Sequence, residues 1–237
     1  GKLHFYSYIW TPAFYKLFDE AIVNCRDQFI RLQQKQNDGE DIVPVTMIDV
    51  SVDKETGIIT LMNDGNGIDV AQHPEHKLWI PEMIFGHLMT STNYKKSEKK
   101  IVGGKNGFGI KLVFIYSKWA CIETVDHFRK KRYVQEFKDN LDIIGKPKIT
   151  KASNTKPFVK ISFLPDYERF GMEGITDDMF NLFKKRTYDI AAITDKSVKV
   201  RFNHSMIPIR TLEQYINLYI GDKSETTRVF EKNGIRW

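Results

Sequence analysis

Four glycines fall within seven positions, Gly103, Gly104, Gly107 and Gly109, and the run Gly103-Gly104-Lys105-Asn106-Gly107-Phe108-Gly109-Ile110-Lys111 leads directly into an apolar stretch. Residues without a Cβ leave their backbone N–H groups approachable, and a helix that starts there adds a partial positive charge. Such a segment suits phosphate groups, with the Lys111 ammonium reaching the outermost one. Two familiar phosphate loops do not fit. A P-loop needs Gly-Lys-Ser/Thr, whereas Ile110 separates Gly109 from Lys111 and Leu112 follows. A Rossmann fingerprint needs a further glycine where Leu112 stands.

The rest of the chain sets the frame for this loop. From Pro12 to about Gln34, Phe14, Phe18, Ala21, Ile22, Cys25, Phe29 and Leu32 recur at helical spacing, and Thr11-Pro12 is a helix start. Val45 to Val52 and Ile58 to Met62 read as a strand pair joined by a hairpin over Asp53 to Gly57. Pro81 opens a shorter helix to about Met89, residues 90–108 form a polar loop, and a helix runs from about Phe108 to Tyr116. Strands are expected over Ala120–Val125, Tyr133–Phe137, Val159–Leu164 and Val198–Phe202. Helices are expected over Thr176–Ile193 and near Leu212–Tyr219, with a last strand from Val229 to Trp237. Without the regular βαβ alternation of a Rossmann sheet, this order predicts an α+β fold: helices on one face of a mainly antiparallel sheet.

Three polar constellations precede the glycine run. Glu20, Asn24 and Asp27 stand at i, i+4 and i+7, on one face of the first helix opposite its apolar residues. A carboxylate there can accept a proton from water, and an Asn amide oxygen is a hard ligand for Mg²⁺. A solvated helix face is the plain alternative. Asn63-Asp64-Gly65-Asn66-Gly67 follows a strand; Asn63 is placed to hydrogen-bond the edge of a base, although Asp-Gly and Asn-Gly also make ordinary turns. Thr90-Ser91-Thr92-Asn93 offers short hydrogen-bonding side chains at a helix end, where capping is the plain alternative.

Taken together, Glu-x-x-x-Asn on a helix, Asn-x-Gly-x-Gly after a strand, and a glycine-rich segment ending in Gly-x-Lys resemble the GHKL ATPases. Within that superfamily, Phe14 to Asp27, Trp79 to Leu88, Thr90 to Tyr94 and Lys99 to Lys111 look like eukaryotic-pattern type II DNA topoisomerases, and the similarity continues through Arg186 to Ala191. The resemblance implies a two-layer Bergerat fold, with a mainly antiparallel mixed sheet covered by helices on one face. It implies ATP and Mg²⁺ as ligands. Glu20 would be the general base, Asn24 the Mg²⁺ ligand and Asn63 the adenine contact. Ser91, Thr92 and Asn93 would meet ribose and phosphate. Gly104, Lys105, Asn106, Gly107, Phe108, Gly109 and Ile110 would wrap the triphosphate, and Lys111 would pair with the γ-phosphate. Departures are Gln28 where a second Asn is usual, and Lys105 and Phe108 in place of Arg and Tyr.

The same resemblance divides the chain into residues 1–205, the ATP-binding domain, and residues 206–237, an extension plus the start of a transducer domain. In the family that next domain supplies a lysine to the γ-phosphate, so this chain alone is expected to bind ATP and hydrolyse it slowly. The DNA-cutting machinery lies much further on. In a full enzyme, DNA and a second copy would be partners, with ATP closing a dimer gate; this chain is expected to be a monomer or weak dimer. The nucleus or a viral replication compartment is the expected location.

Composition is compatible with these readings. The chain has 237 residues, 41% of them hydrophobic, and starts Gly1-Lys2-Leu3, as a processed or excised fragment would. A net charge of +6 suits work near a polyanion, through Lys95-Lys96, Lys99-Lys100, Arg129 to Arg132 and Lys184 to Arg186. No stretch approaches the ~20 apolar residues of a membrane span. Cys25 and Cys121 lack metal-ligand spacing and read as reduced core thiols. His73 and His76 lack an evident third ligand, which argues against zinc. Another GHKL ATPase, of the chaperone or repair type, and a non-catalytic basic DNA-binding module remain the competing readings.

Overall fold

The computed structural model describes residues 9–87, 109–221, 223–224 and 227–229. Helix α1 (Pro12–Asn37) begins with proline in its first turn, where the missing N–H costs nothing, and buries Phe14, Leu17, Phe18, Ala21, Ile22, Cys25 and Leu32. Two strands follow, β1 (Met47–Val52) and β2 (Ile59–Asp64). Then come α2 (Ile80–Gly86), α3 (Gly109–Ile115), β3 (Ser117–Val125) and β4 (Lys131–Lys138). Short β5 (Ile143–Ile144) and β6 (Lys148–Lys151) precede β7 (Phe158–Pro165). Helix α4 (Asp177–Ile193), β8 (Lys199–Phe202), β9 (Ser205–Met206) and α5 (Leu212–Ile220) complete the described elements.

The strands form one sheet in the order β5-β4-β3-β7-β2-β1-β8-β9, with β6 also on β4. Every pairing is antiparallel except β1 with β8, where Ile48 stands beside Val200. Alternation along the strands turns Ile48, Val50, Leu61, Ile122, Ile161, Phe163 and Val200 into the core. The opposite face carries polar pairs such as Thr60 with Ser162, whose hydroxyls lie 2.9 Å apart, and Glu123, which Arg132 and Lys160 neutralise. The helical layer closes on an aromatic stack: Phe18 and Phe183, on α1 and α4, lie 4.3 Å apart, with Phe14 edge-on to Phe183. Thr176 caps α4 by accepting the Met179 amide, as Thr11 fails to do for α1.

The expected α+β architecture, with a mainly antiparallel mixed sheet, is therefore present. Several local expectations change. The second strand runs on to Asp64, so Asn63 and Asp64 are strand residues. Helix α2 stops at Gly86, because His87 is already extended at φ −128° and ψ 135°. Strands β5, β6 and β9 are additional. Ile207 and Ile209 are buried in the same core as β8, so that core continues past residue 205. Cys25 is a buried thiol, its pKa raised by burial to about 12, whereas Cys121 is only half-buried on the outer sheet face. The expected strand from Val229 to Trp237 lies, apart from Val229, outside the described residues. No helix among the described residues is long and apolar enough to cross a membrane.

Candidate nucleotide site

A cavity of about 190 Å³ opens between α1, α2 and the sheet. Its walls are mostly apolar: Ala21 and Cys25 of α1, Ile84 and Phe85 of α2, Ile110 of α3, Leu61, Val159 and Ile161 of the sheet, and Ile68. Asn24, Gln28, Arg31 and Asn63 supply the polar groups. That volume suits a planar heteroaromatic ring and is smaller than the ~300–1,000 Å³ of sites enclosing a whole drug-sized ligand. Asn63 is 4% exposed, and its amide nitrogen donates to the Asp64 carbonyl at 2.8 Å, which leaves its amide oxygen for a donor in the cavity. The Asn24 amide nitrogen donates to the Glu20 carbonyl at 2.7 Å. The amide oxygen is thereby its free ligating group, the chemistry a hard divalent cation needs.

The segment leaving β2 is pinned at alternate residues. The Asp64 carboxylate accepts the Thr46 and Met47 amides at 2.6 and 2.9 Å, the Thr46 hydroxyl at 2.5 Å and the Lys156 ammonium at 2.6 Å. Asn66 Oδ1 accepts the Val43 amide at 2.6 Å. On the other side, Thr124 Oγ1 accepts the Ile68 amide at 2.9 Å, and Asp126 Oδ2 accepts the Val70 amide at 2.8 Å. The chain crosses so close to β3 that a Cβ at Gly67 would overlap the Val125 carbonyl oxygen, at a φ of +74°. The Asn-Asp-Gly-Asn-Gly sequence is therefore a braced crossing and not a free turn.

Asp64 carries a testable consequence. Burial works against its charge, but the Lys156, Thr46 and Met47 hydrogen bonds outweigh it and hold its pKa below the ordinary carboxylate value. A depressed folded-state pKa contributes stability above the unfolded value and loses it as pH falls through the folded one. Asp64→Asn is expected to cost about 1–3 kcal/mol at neutral pH, through the unpaired amides it leaves. The gap to wild type should narrow below about pH 4, as read from urea unfolding across a pH series.

Glu20 sits one turn from Asn24, outside the cavity lining, with its carboxylate against the first residue of α3. A Cβ at Gly109 would overlap that carboxylate, so any larger residue there would have to push the Glu20 side chain aside. Lys16 pairs with Glu20 Oε1 at 2.8 Å and with Asp19 Oδ2 at 2.9 Å. Partial burial opposes the Lys16 charge, yet these two carboxylates raise its pKa above the usual lysine value. Lys111 is 3% exposed, and its ammonium donates to the Met83 carbonyl at 3.0 Å and to the His87 carbonyl. Desolvation lowers its pKa. Reaching a phosphate therefore means leaving the end of α2. That helix is itself tied to the sheet, since Gln135 donates to Glu82 at 3.0 Å and accepts the Tyr133 hydroxyl at 2.6 Å.

Of the residues singled out in the sequence, Asn24, Asn63 and Ile110 line one cavity, while Glu20 and Gly109 meet beside it. Ser91, Thr92, Asn93, Gly104, Lys105, Asn106, Gly107 and Phe108 lie outside the described residues. The polar stripe of α1 is not a solvated face. Asp27 is 0% exposed, and Gln28 lines the cavity. Gln28, left out of the expected site because it departs from the usual Asn, stands at the next i+4 position after Asn24, a spacing that could have found it; the apolar wall residues carried no such signal. His73, Glu75 and His76 do bring three donor atoms within 4.8 Å of one another, so a third ligand is present. His73 Nδ1, however, faces the Glu75 and His76 amides at 3.3 and 3.4 Å. A metal on Nε2 requires Nδ1 to donate, and those two N–H groups oppose that tautomer.

Helices over one face of a mainly antiparallel mixed sheet, with an Asn-lined cleft between α1 and α2, make this a GHKL fold of the Bergerat type. No family model matches the chain. It is 42% identical over 225 residues to DNA topoisomerase 2 of Acanthamoeba polyphaga mimivirus, covering 95% of this chain and 17% of that protein. Against the probable DNA topoisomerase 2 of Dictyostelium discoideum it is 42% identical over 229 residues, 96% of this chain and 14% of the other. The ATPase region of Saccharomyces cerevisiae topoisomerase II superposes with a TM-score of 0.79 at 38% identity, over 88% of this chain and 52% of that one. The chain belongs to the type II DNA topoisomerase family, as the counterpart of its ATPase region. It spans under a fifth of the length of these curated relatives and about half of the solved ATPase region.

Proposed function

We propose that this chain binds Mg-ATP in the cleft between α1, α2 and the sheet and is the hydrolytic part of an ATP-dependent type II DNA topoisomerase. The observation that carries the reading is the convergence of Asn24 and Asn63 on one apolar-walled cavity beside Glu20. The adenine would lie between Ile68, Ile84 and Val159, with its edge on Asn63. Asn24 would hold Mg²⁺, which when bound supplies charge neutralisation for the phosphates. Glu20 would accept a proton from the attacking water, and Lys111, released from the Met83 and His87 carbonyls, would meet the γ-phosphate. Ser91, Thr92, Asn93 and residues 104–110 would contact ribose and phosphates.

In the whole protein, ATP would bring two copies together as a gate, coupling binding and hydrolysis to passage of one DNA duplex. Support comes from the names of the relatives. A following domain would begin within residues 206–237, past the core residues Ile207 and Ile209, and would complete the γ-phosphate site. The nucleus or a viral replication compartment would be its place of work. The alternative of a purely basic DNA-binding module draws less support, because Arg132 and Arg186 are spent on Glu123, Asp19 and Asp189.

Glu20→Gln is the direct test. It keeps the size and the approach to Gly109 but removes the base. Hydrolysis under saturating Mg-ATP is expected to fall at least ~100-fold, with affinity for a non-hydrolysable analogue unchanged within a few-fold. Equal hydrolysis by the variant would remove Glu20 from the reaction.

A further inference from the structure

We propose that Asp19, Arg186 and Asp189 are positioning residues that couple the docking of α5 to the orientation of the Glu20 carboxylate, an inference that rests on the reading of Glu20 as the base. The two ends of the chain of contacts lie on different helices. Glu20 Oε1 meets Lys16 at 2.8 Å, and the same ammonium meets Asp19 Oδ2 at 2.9 Å. The other Asp19 oxygen accepts Nε and Nη2 of Arg186, from α4, at 2.8 and 2.7 Å. Arg186 Nη1 stands 3.7 Å from Asp189 Oδ2, which also takes Lys185 at 2.9 Å. The remaining Asp189 oxygen accepts the hydroxyl of Tyr215, from α5, and that hydroxyl lies 2.6 Å from Tyr219.

Each member therefore has its second partner in the next, so a change of partner at one end is passed along the path. Arg186 decides the outcome, because it lies between two carboxylates. With Tyr215 bound to Asp189, the guanidinium sits on Asp19 with two donors and reaches Asp189 with only one, at longer range. Removing the Tyr215 hydroxyl leaves Asp189 short of a donor and draws Arg186 toward it. Asp19 then depends on Lys16, and Lys16 is drawn from Glu20. A shift of the Glu20 side chain is felt at Gly109, because its other oxygen lies against that residue. Helix α5 has no fully buried residue, and Leu212, Tyr219 and Ile220 are exposed; Tyr215 and Leu218 rest against the core, and the Tyr215 hydroxyl adds a polar tie to α4.

The Gly109 backbone amide serves as a reporter of Glu20 that does not require nucleotide. Its ¹H–¹⁵N resonance is expected to move in Arg186→Gln and, in the same direction by a smaller amount, in Tyr215→Phe, which keeps the ring and its packing. Lys35→Gln, which removes the Lys35–Glu40 pair at the far end of α1, is expected to leave it in place. Single-turnover hydrolysis should drop about 3- to 10-fold in Arg186→Gln with analogue affinity unchanged, the range a partly exposed ion pair can transmit. The double variant should be no slower than Arg186→Gln alone, because both act through one path. A Gly109 resonance that stays put in Arg186→Gln overturns the coupling, as do effects of the two substitutions that multiply. Loss of analogue binding by the unaltered chain would instead count against the nucleotide site, and the resonance test would still decide the coupling.

Discussion

Alanine at position 67 is expected to lower the unfolding free energy by roughly 2–5 kcal/mol, one of the largest single-site effects this chain offers. Two costs add. At a φ of +74° a side chain pushes its Cβ toward its own backbone, worth about 1–2 kcal/mol. The new methyl also overlaps the Val125 carbonyl oxygen, and relief requires moving β3 or the braced crossing, about 1–3 kcal/mol more. Gly39 separates the two contributions. Its φ is +82°, but nothing lies within 4 Å of a Cβ there, so Gly39→Ala should show the backbone cost alone. Urea midpoints of the two variants measure the difference. Equal midpoints would mean that the crossing between β2 and β3 yields easily, and the Asn63 edge of the cavity with it.

The second large effect is on ligand-linked stability. A non-hydrolysable ATP analogue with Mg²⁺ at about 100 times Kd should stabilise the chain by about 2.7 kcal/mol. For a domain of this size that is roughly 5–10 °C in Tm. Asn24→Ala is expected to erase most of that shift while leaving the unliganded Tm close to wild type, because Asn24 spends only its amide nitrogen on its own helix. The shift in the unaltered chain should also require Mg²⁺. If the variant retains the full, metal-dependent shift, Asn24 does not hold the cation, and the amide oxygen left free by its bond to Glu20 serves something else.

The long elements were readable because they carry a period. Pro12 to Gln34 announces α1 through seven apolar residues at helical spacing, and the strand from Val159 to Leu164 alternates into the core. Strands of two residues have no period to read. Ile143–Ile144 and Ser205–Met206 exist because neighbouring edges, β4 and β8, offer unpaired backbone groups, which only the assembled sheet supplies. The site divides the same way. Asn24 and Asn63 were legible because their residue types are chemically specific. The bracing of Asp64, Asn66, Ile68 and Val70 was not, since its partners come from residues 43–47, 124–126 and 156. Nor was the burial of Asp27, which depends on what packs over the lower half of α1. Lys111 shows the limit most plainly: its place in the motif suggests a phosphate, while its ammonium lies on the carbonyls of Met83 in α2 and of His87 just past its end.

The stacking of Phe18 on Phe183 also bears on the birth of the protein. The first helix leaves the ribosome with an aromatic face whose cover is encoded some 165 residues later, and β1 waits about 150 residues for β8. At roughly 5–20 residues per second, that face stays uncovered for about ten seconds or more of synthesis. The antiparallel strands β2, β3, β4 and β7 are synthesised earlier, so Asn63, Val159 and Ile161 of the cleft are all on the chain before the α4 residues that cover α1. A chaperone that binds aromatic helices would find its substrate in the first forty residues, and only until α4 arrives.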